Sequence, residues 1–157
     1  MGTYAPSPLV PGCDKKIERI SVKDSLTPGV FLIQRIQVDK KRTIAFLGEE
    51  GRVYSTPAMV KDIEYASLQL LQRYLDQGES SVGMHVSVDH LGATPLEAWV
   101  EIRVEIETID RRKVRLSAEV RDSFEIVGRG IHERFVIDVL RHRKRLVEKI
   151  ANLTKMG

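Results

Sequence analysis

A chain of 157 residues, 42% apolar and 30% charged, has the length and balance of one soluble globular domain with a real core. Lys and Arg (25) barely exceed Asp and Glu (22), too small an excess to indicate nucleic-acid binding, and a single cysteine, Cys13, excludes an intramolecular disulfide and a cysteine-rich zinc site. No apolar run approaches the roughly 20 residues of a membrane helix, and MGTYAPSPLVPG lacks the basic-then-apolar layout of a signal peptide, so the expected location is the cytoplasm.

Residues 1–15 hold Pro6, Pro8 and Pro11 and read as an extended N-terminal arm, taken to end at residue 25. Residues 16–22 have the pattern of a short strand. A turn at Thr27-Pro28-Gly29 precedes a strand over Val30–Val38, and Asp39-Lys40-Lys41 reads as a hairpin turn into a second strand over Arg42–Leu47. Gly48–Arg52 is then a short loop. Tyr54 to Gly78 carries the one long helical pattern in the middle of the chain. Met59, Val60, Ile63, Ala66, Leu70, Leu71 and Tyr74 recur at three- and four-residue steps, Thr56 is a suitable N-cap, Pro57 suits the first turn, and Gly78 suits the exit.

Strand patterns follow. Val82–Leu91 alternates loosely. Glu97–Ile109 alternates clearly, with Ala98, Val100, Ile102, Val104 and Ile106 on one face. Asp110-Arg111 is a tight turn into Lys113–Arg121, where Val114, Leu116, Ala118 and Val120 face inward, and Gly128–Asp138 is a last strand. From Val139 the helical spacing returns, with Arg141, Arg143, Lys144, Arg145 and Lys149 making that helix basic. Two strands, a long helix and a run of antiparallel strands make an α+β domain over residues 26–140, followed by a basic C-terminal helix over 141–157. One helix cannot cover so long a sheet, so part of the sheet is expected to be buried in an oligomer.

Four groups of residues can carry chemistry. Glu64 sits mid-helix on or beside the apolar face, either a boundary carboxylate or a working group, and Thr56 stands at the helix start. His90 lies on a strand, where a lone histidine is most often structural. His85 and Asp89 are an odd number of residues from it and point to the other side. In GRGIHERFVID (128–138), Gly128 and Gly130 suggest a bulge or a close backbone approach, and His132 and Arg134 share a face while Glu133 takes the other. The basic C-terminal helix has solvation as its plain reading. The histidines are scattered with no zinc spacing, so no metal is expected, and there is no phosphate loop and no nucleophilic serine elbow.

Ser55-Thr56-x-x-Met59-Val60 with Glu64, Val82-Gly83 with His90 and Ala93-Thr94-Pro95, and Gly130-x-His132-Glu133-Arg134-x-Val136-Ile137 together resemble the fluoroacetyl-CoA thioesterase-like family of hotdog-fold acyl-CoA thioesterases. The similarity covers roughly residues 28–140. It implies a long central helix wrapped by a curved antiparallel sheet of five or six strands. It also implies a catalytic set of Thr56, Glu64 and His90, substrate-binding positions at Gly83 and Arg134, an acyl-CoA substrate and no separate cofactor. The fluoroacetyl-specific enzyme has a longer segment with aromatic lid residues before its helix. Here Gly48–Arg52 holds no phenylalanine, which points to a general short-chain or other acyl-CoA.

Thioester hydrolysis needs an activated nucleophile and stabilisation of the oxyanion formed on the carbonyl. A carboxylate or imidazole supplies the first, and N–H groups at a helix start supply the second. Thr56 and Glu64 are eight residues apart, about 12 Å along one helix, so they cannot touch within one chain. Two antiparallel helices about a twofold axis, together with the dimeric habit of the family, lead to a homodimer or higher oligomer with sites built by two subunits. The rival readings are a non-catalytic hotdog module that binds or senses acyl-CoA, a hotdog hydratase, and a basic nucleic-acid binder. A hydratase is expected to carry a histidine on the central helix, which this helix lacks. Aromatics make up only 6% of the chain, too few for base stacking, so neither nucleic acid nor membrane is expected as a partner.

Overall fold

A computed structural model of the chain describes residues 22–155. The expected strand over 16–22 lies outside the described residues but for Val22, and Val22 and Leu26 are buried in the core. The described residues form seven strands: β1 (Phe31–Gln37), β2 (Thr43–Ile44), β3 (Val53–Tyr54), β4 (Glu79–His90), β5 (Trp99–Asp110), β6 (Lys113–Arg121) and β7 (Ile126–Asp138). Five of them make one antiparallel sheet in the order β1-β5-β6-β7-β4, while β2 and β3 pair separately. The expected second strand over 42–47 shrinks to two residues, because Gly48 N–H turns back onto the Ala45 carbonyl at 3.0 Å and ends the ladder. The segment before the helix is therefore longer than the sequence pattern suggests. It carries Phe46, 87% exposed, which corrects the expectation of a segment without an aromatic.

The central helix, α1, spans Thr56–Gln72, and its N-cap is Ser55, not Thr56. Ser55 has the extended backbone a cap requires, φ −87° and ψ 148°, and its Oγ accepts from Ala58 N–H at 3.2 Å. The helix stops six residues before Gly78. Asp76 N–H bonds the Glu79 carboxylate at 3.0 Å and Glu79 N–H bonds the Asp76 carbonyl at 3.1 Å, forming a closed turn that competes with helix. Gly78 serves that turn with φ +89°.

Met59, Ile63, Ala66, Leu70 and Leu71 of α1 are buried against Val100, Ile102, Val104 and Ile106 of β5 and Val114, Leu116, Ala118 and Val120 of β6. These are the alternating positions read from the sequence. Each large aliphatic among them contributes about 1.5–3 kcal/mol by leaving water. Gly128 is the close approach its pattern suggested: a Cβ there would meet Met59 Sδ at 2.5 Å.

Among the described residues β4 is an edge strand, bonded only to β7. Its register slips between Gly83 and His85, leaving Met84 as an extra residue. Gly83 and His90 are seven positions apart and strict alternation would put them on opposite faces. The bulge restores them to one face, opposite Arg134 and Gly128 of β7. A second helix, α2 (Val139–Thr154), is capped by Asp138 and has no buried residue.

Candidate active site

Two clusters hold the candidate residues, one at the start of α1 and one at its middle. At the start, Ser55 takes the capping duty and leaves the Thr56 hydroxyl free. Thr56 Oγ1 lies 2.8 Å from His90 Nδ1. The His90 ring packs edge-on to Tyr54, with centroids 6.2 Å apart. Tyr54 is held in turn, since its hydroxyl donates to Asp62 at 2.8 Å and the Arg42 guanidinium grips the same carboxylate through Nε at 2.9 Å and Nη2 at 3.2 Å. Burial first, and then the Asp62 charge, push the Tyr54 phenol far above its ordinary value, so it remains a donor. His90 Nε2 is buried and has no partner among the described residues.

The helix start offers fewer open donors than its position implied. Pro57 has no N–H, Ala58 N–H is taken by Ser55 Oγ and Met59 N–H by the Ser55 carbonyl at 2.9 Å. Thr56 N–H is left as the donor at this end.

At the middle of α1, Glu64 leans over β4 and β7, with its side chain 46% exposed. Its Oε1 stands 3.8 Å from Nε2 of His132, which is 1% exposed. A Cβ on Gly83 would collide with Glu64 Oε1 and press on His132 Cε1 at 3.2 Å, so a side chain there would push the carboxylate from its present position. Arg134 is buried, and each of its three nitrogens has a partner. Nε donates to Ser81 Oγ at 2.8 Å, Nη2 to the Ser81 carbonyl at 2.8 Å, and Nη1 reaches the Glu64 carbonyl at 3.4 Å and His132 Nε2 at 3.1 Å. Burial pulls the guanidinium pKa down while the Glu64 charge pulls it up. Arg134 thus supports the helix backbone and the His132 ring.

Of the five residues singled out from the sequence, Thr56 and His90 meet in one cluster, and Glu64, Gly83 and Arg134 in the other. His132 was read only as sharing the face of Arg134. Its signal is that shared face: Arg134 pairs with Gly83 and His132 with Val86 on the neighbouring strand. Among the described residues no group of three or more His, Cys, Asp or Glu is placed to hold a metal, and no helix is long and apolar enough to cross a membrane.

A family model for fluoroacetyl-CoA-specific thioesterases matches residues 38–139. The chain belongs to this family of thioester hydrolases. The fluoroacetyl-CoA thioesterase of Streptantibioticus cattleyicolor is 27% identical over 143 residues, covering 87% of this chain and all of that protein. A solved fluoroacetyl-CoA thioesterase superposes with a TM-score of 0.74 at 26% identity, over 80% of this chain and 98% of that one. A hot-dog-like protein from Thermanaerovibrio acidaminovorans superposes with a TM-score of 0.73 at 25% identity, over 78% and 91% of the two chains. The fold is the hotdog fold, with five strands in its main sheet. Both clusters lie inside the matched thioesterase segment, whose end coincides with the start of α2.

Proposed function

We propose that the chain hydrolyses an acyl-CoA thioester to a free acid and CoA with Thr56, Glu64 and His90. The observation that carries this is the Thr56–His90 hydrogen bond, which leaves His90 Nε2 buried and unpartnered beside the helix start. With Thr56 donating to Nδ1, the ring proton sits on Nε2, aimed at the place of a thioester oxygen or sulfur. Glu64 attacks the carbonyl carbon or takes a proton from the attacking water, and the carbonyl π pair moves to oxygen. Thr56 N–H and His90 Nε2–H stabilise that oxyanion. Collapse re-forms the carbonyl and breaks the C–S bond. Where water attacks, the thiolate takes the proton held by Glu64 and leaves as the CoA thiol beside the free acid. Where Glu64 attacks, the thiolate is protonated by water, and a water then cleaves the acyl–Glu64 anhydride to release the acid and restore the carboxylate.

Eight helical residues separate Thr56 from Glu64, about 12 Å, so a complete site takes its two ends from two chains. The open edge of β4, where Met84 is 53% exposed and Val86 39%, supports a homodimer joined strand to strand across this edge. Mixing inactive Thr56→Ala and Glu64→Gln chains would then rebuild one intact site in each mixed dimer. Equal random mixing restores about a quarter of the wild-type activity, and no recovery sinks the shared site.

The deciding experiment is a panel of acyl-CoA esters followed by thiol release. It includes fluoroacetyl-CoA beside acetyl-CoA and longer chains, because Phe46 returns an aromatic to the segment before the helix. Thiol release identifies the substrate class. Tight acyl-CoA binding without thiol release would make the chain a binding or sensing module instead.

A further inference from the structure

His132 is nearly absent from solvent and lies between a buried cation and the candidate catalytic carboxylate. Its ring state follows from its partners. Nδ1 faces the His85 carbonyl at 2.9 Å, and a carbonyl can only accept, so Nδ1 carries the proton. Nε2 then presents a lone pair, which Arg134 Nη1 fills as donor at 3.1 Å. A lone pair cannot bond a carboxylate, so Glu64 Oε1 stays 3.8 Å away and uncommitted. Burial holds the His132 pKa below its ordinary value; the His85 carbonyl opposes this, the Arg134 charge adds to it, and Glu64 opposes it. Leu116, across the sheet on β6, adds only apolar surface.

We propose that His132 is a positioning residue: by occupying Arg134 Nη1 it keeps the guanidinium off the Glu64 carboxylate, so that Glu64 is held near a positive charge but free to react. This rests on the reading of Glu64 as the base or nucleophile. Without the ring acceptor, Arg134 Nη1 keeps only its long contact to the Glu64 carbonyl, 3.4 Å, and the Glu64 carboxylate is the opposite charge that acts on the guanidinium. A carboxylate locked to arginine is a weaker base and a worse nucleophile.

The test compares His132→Leu, which fills the space but cannot accept, with His132→Gln, whose amide oxygen can accept from Arg134. Glu64 is followed by its ¹³C carboxyl titration and turnover by thiol release. In His132→Leu the Glu64 titration should move down by about one unit or more, as expected for a new arginine contact. kcat should fall by at least about tenfold with KM little changed, and the acid limb of the pH–rate profile should follow the titration. His132→Gln should keep the wild-type titration and limb. The proposal is overturned by a Glu64 titration that does not move in His132→Leu, or one that moves equally in both variants. In the wild type, ring ¹⁵N spectra above neutral pH should show the neutral Nδ1–H form. A protonated ring or an Nε2–H form overturns the proposal even where the leucine variant fails to fold. If the wild type releases no thiol from any acyl-CoA, the proposed function fails, while the titration still decides the arrangement of His132, Arg134 and Glu64.

Discussion

The two ends of the site are built on different principles. The Thr56–His90 end hangs on a single hydrogen bond between a helix terminus and the tip of an edge strand, with the Tyr54–Asp62–Arg42 chain behind it. The Glu64 end sits on a buried arginine that makes contacts to Ser81, His132 and the helix backbone. One end offers unpartnered polar atoms, and the other has nearly all of its polar atoms satisfied except the carboxylate itself. The difference shows how one helix can present a donor at its start and a free acceptor at its middle without the two neutralising each other.

The largest expected effect breaks the Glu64 end. Glu64→Gln keeps the size and loses the charge, and kcat should fall by at least about 10²-fold, the lower range of a general-base contribution. A folded protein of unchanged assembly that hydrolyses acyl-CoA at the wild-type rate would return Glu64 to a boundary carboxylate.

The next two variants separate scaffold from chemistry at the other end. Asp62→Ala leaves Arg42 and the buried Tyr54 hydroxyl without their shared acceptor. Denaturant unfolding should show a loss of roughly 3 kcal/mol, the low end for a broken buried pair because Arg42 is partly exposed. Ser55 and Thr56 can be parted more finely. Ser55→Ala should cost about 1 kcal/mol of stability with kcat nearly unchanged, whereas Thr56→Ala should lower kcat with little loss of stability, since the cap is not its work. The opposite assignment of effects would make Thr56 the structural hydroxyl.

The smallest expected effect concerns α2. None of its residues is buried, so removing 141–157 should leave the fold intact. If Arg141, Arg145 and their neighbours help hold the CoA phosphates, KM should rise more than kcat falls. An equal fall in kcat at constant KM would exclude that role.

The sheet and the helix were legible because their signals are periodic. Val100 to Ile106 and Val114 to Val120 alternate, and the same residues are buried. The cap expected at Thr56 falls one residue earlier, because Ser55 is an equally good cap and its extended backbone and Oγ contact decide for it. The helix exit was misplaced because a local turn at Asp76–Glu79 competes for the same residues. The role of His132 is not legible in the sequence, because it rests on burial and on a neighbour, Glu64, that lies 68 positions earlier in the chain. The common face of Gly83 and His90 was hidden from alternation altogether, since it depends on the bulge at Met84.

That bulge sets a rule about length. Between Gly83 and His90, β4 takes seven steps where β7 takes six from Arg134 to Gly128, and Met84 absorbs the difference. Removing Met84 would leave six steps, which alternate regularly, and would keep His90 opposite Gly128 and turned toward Thr56. Straightening the bulge without removing a residue would instead slip the register by one and turn His90 to the outer face. Among relatives that keep the reaction, this span is therefore expected to hold seven steps with a bulge or six without one.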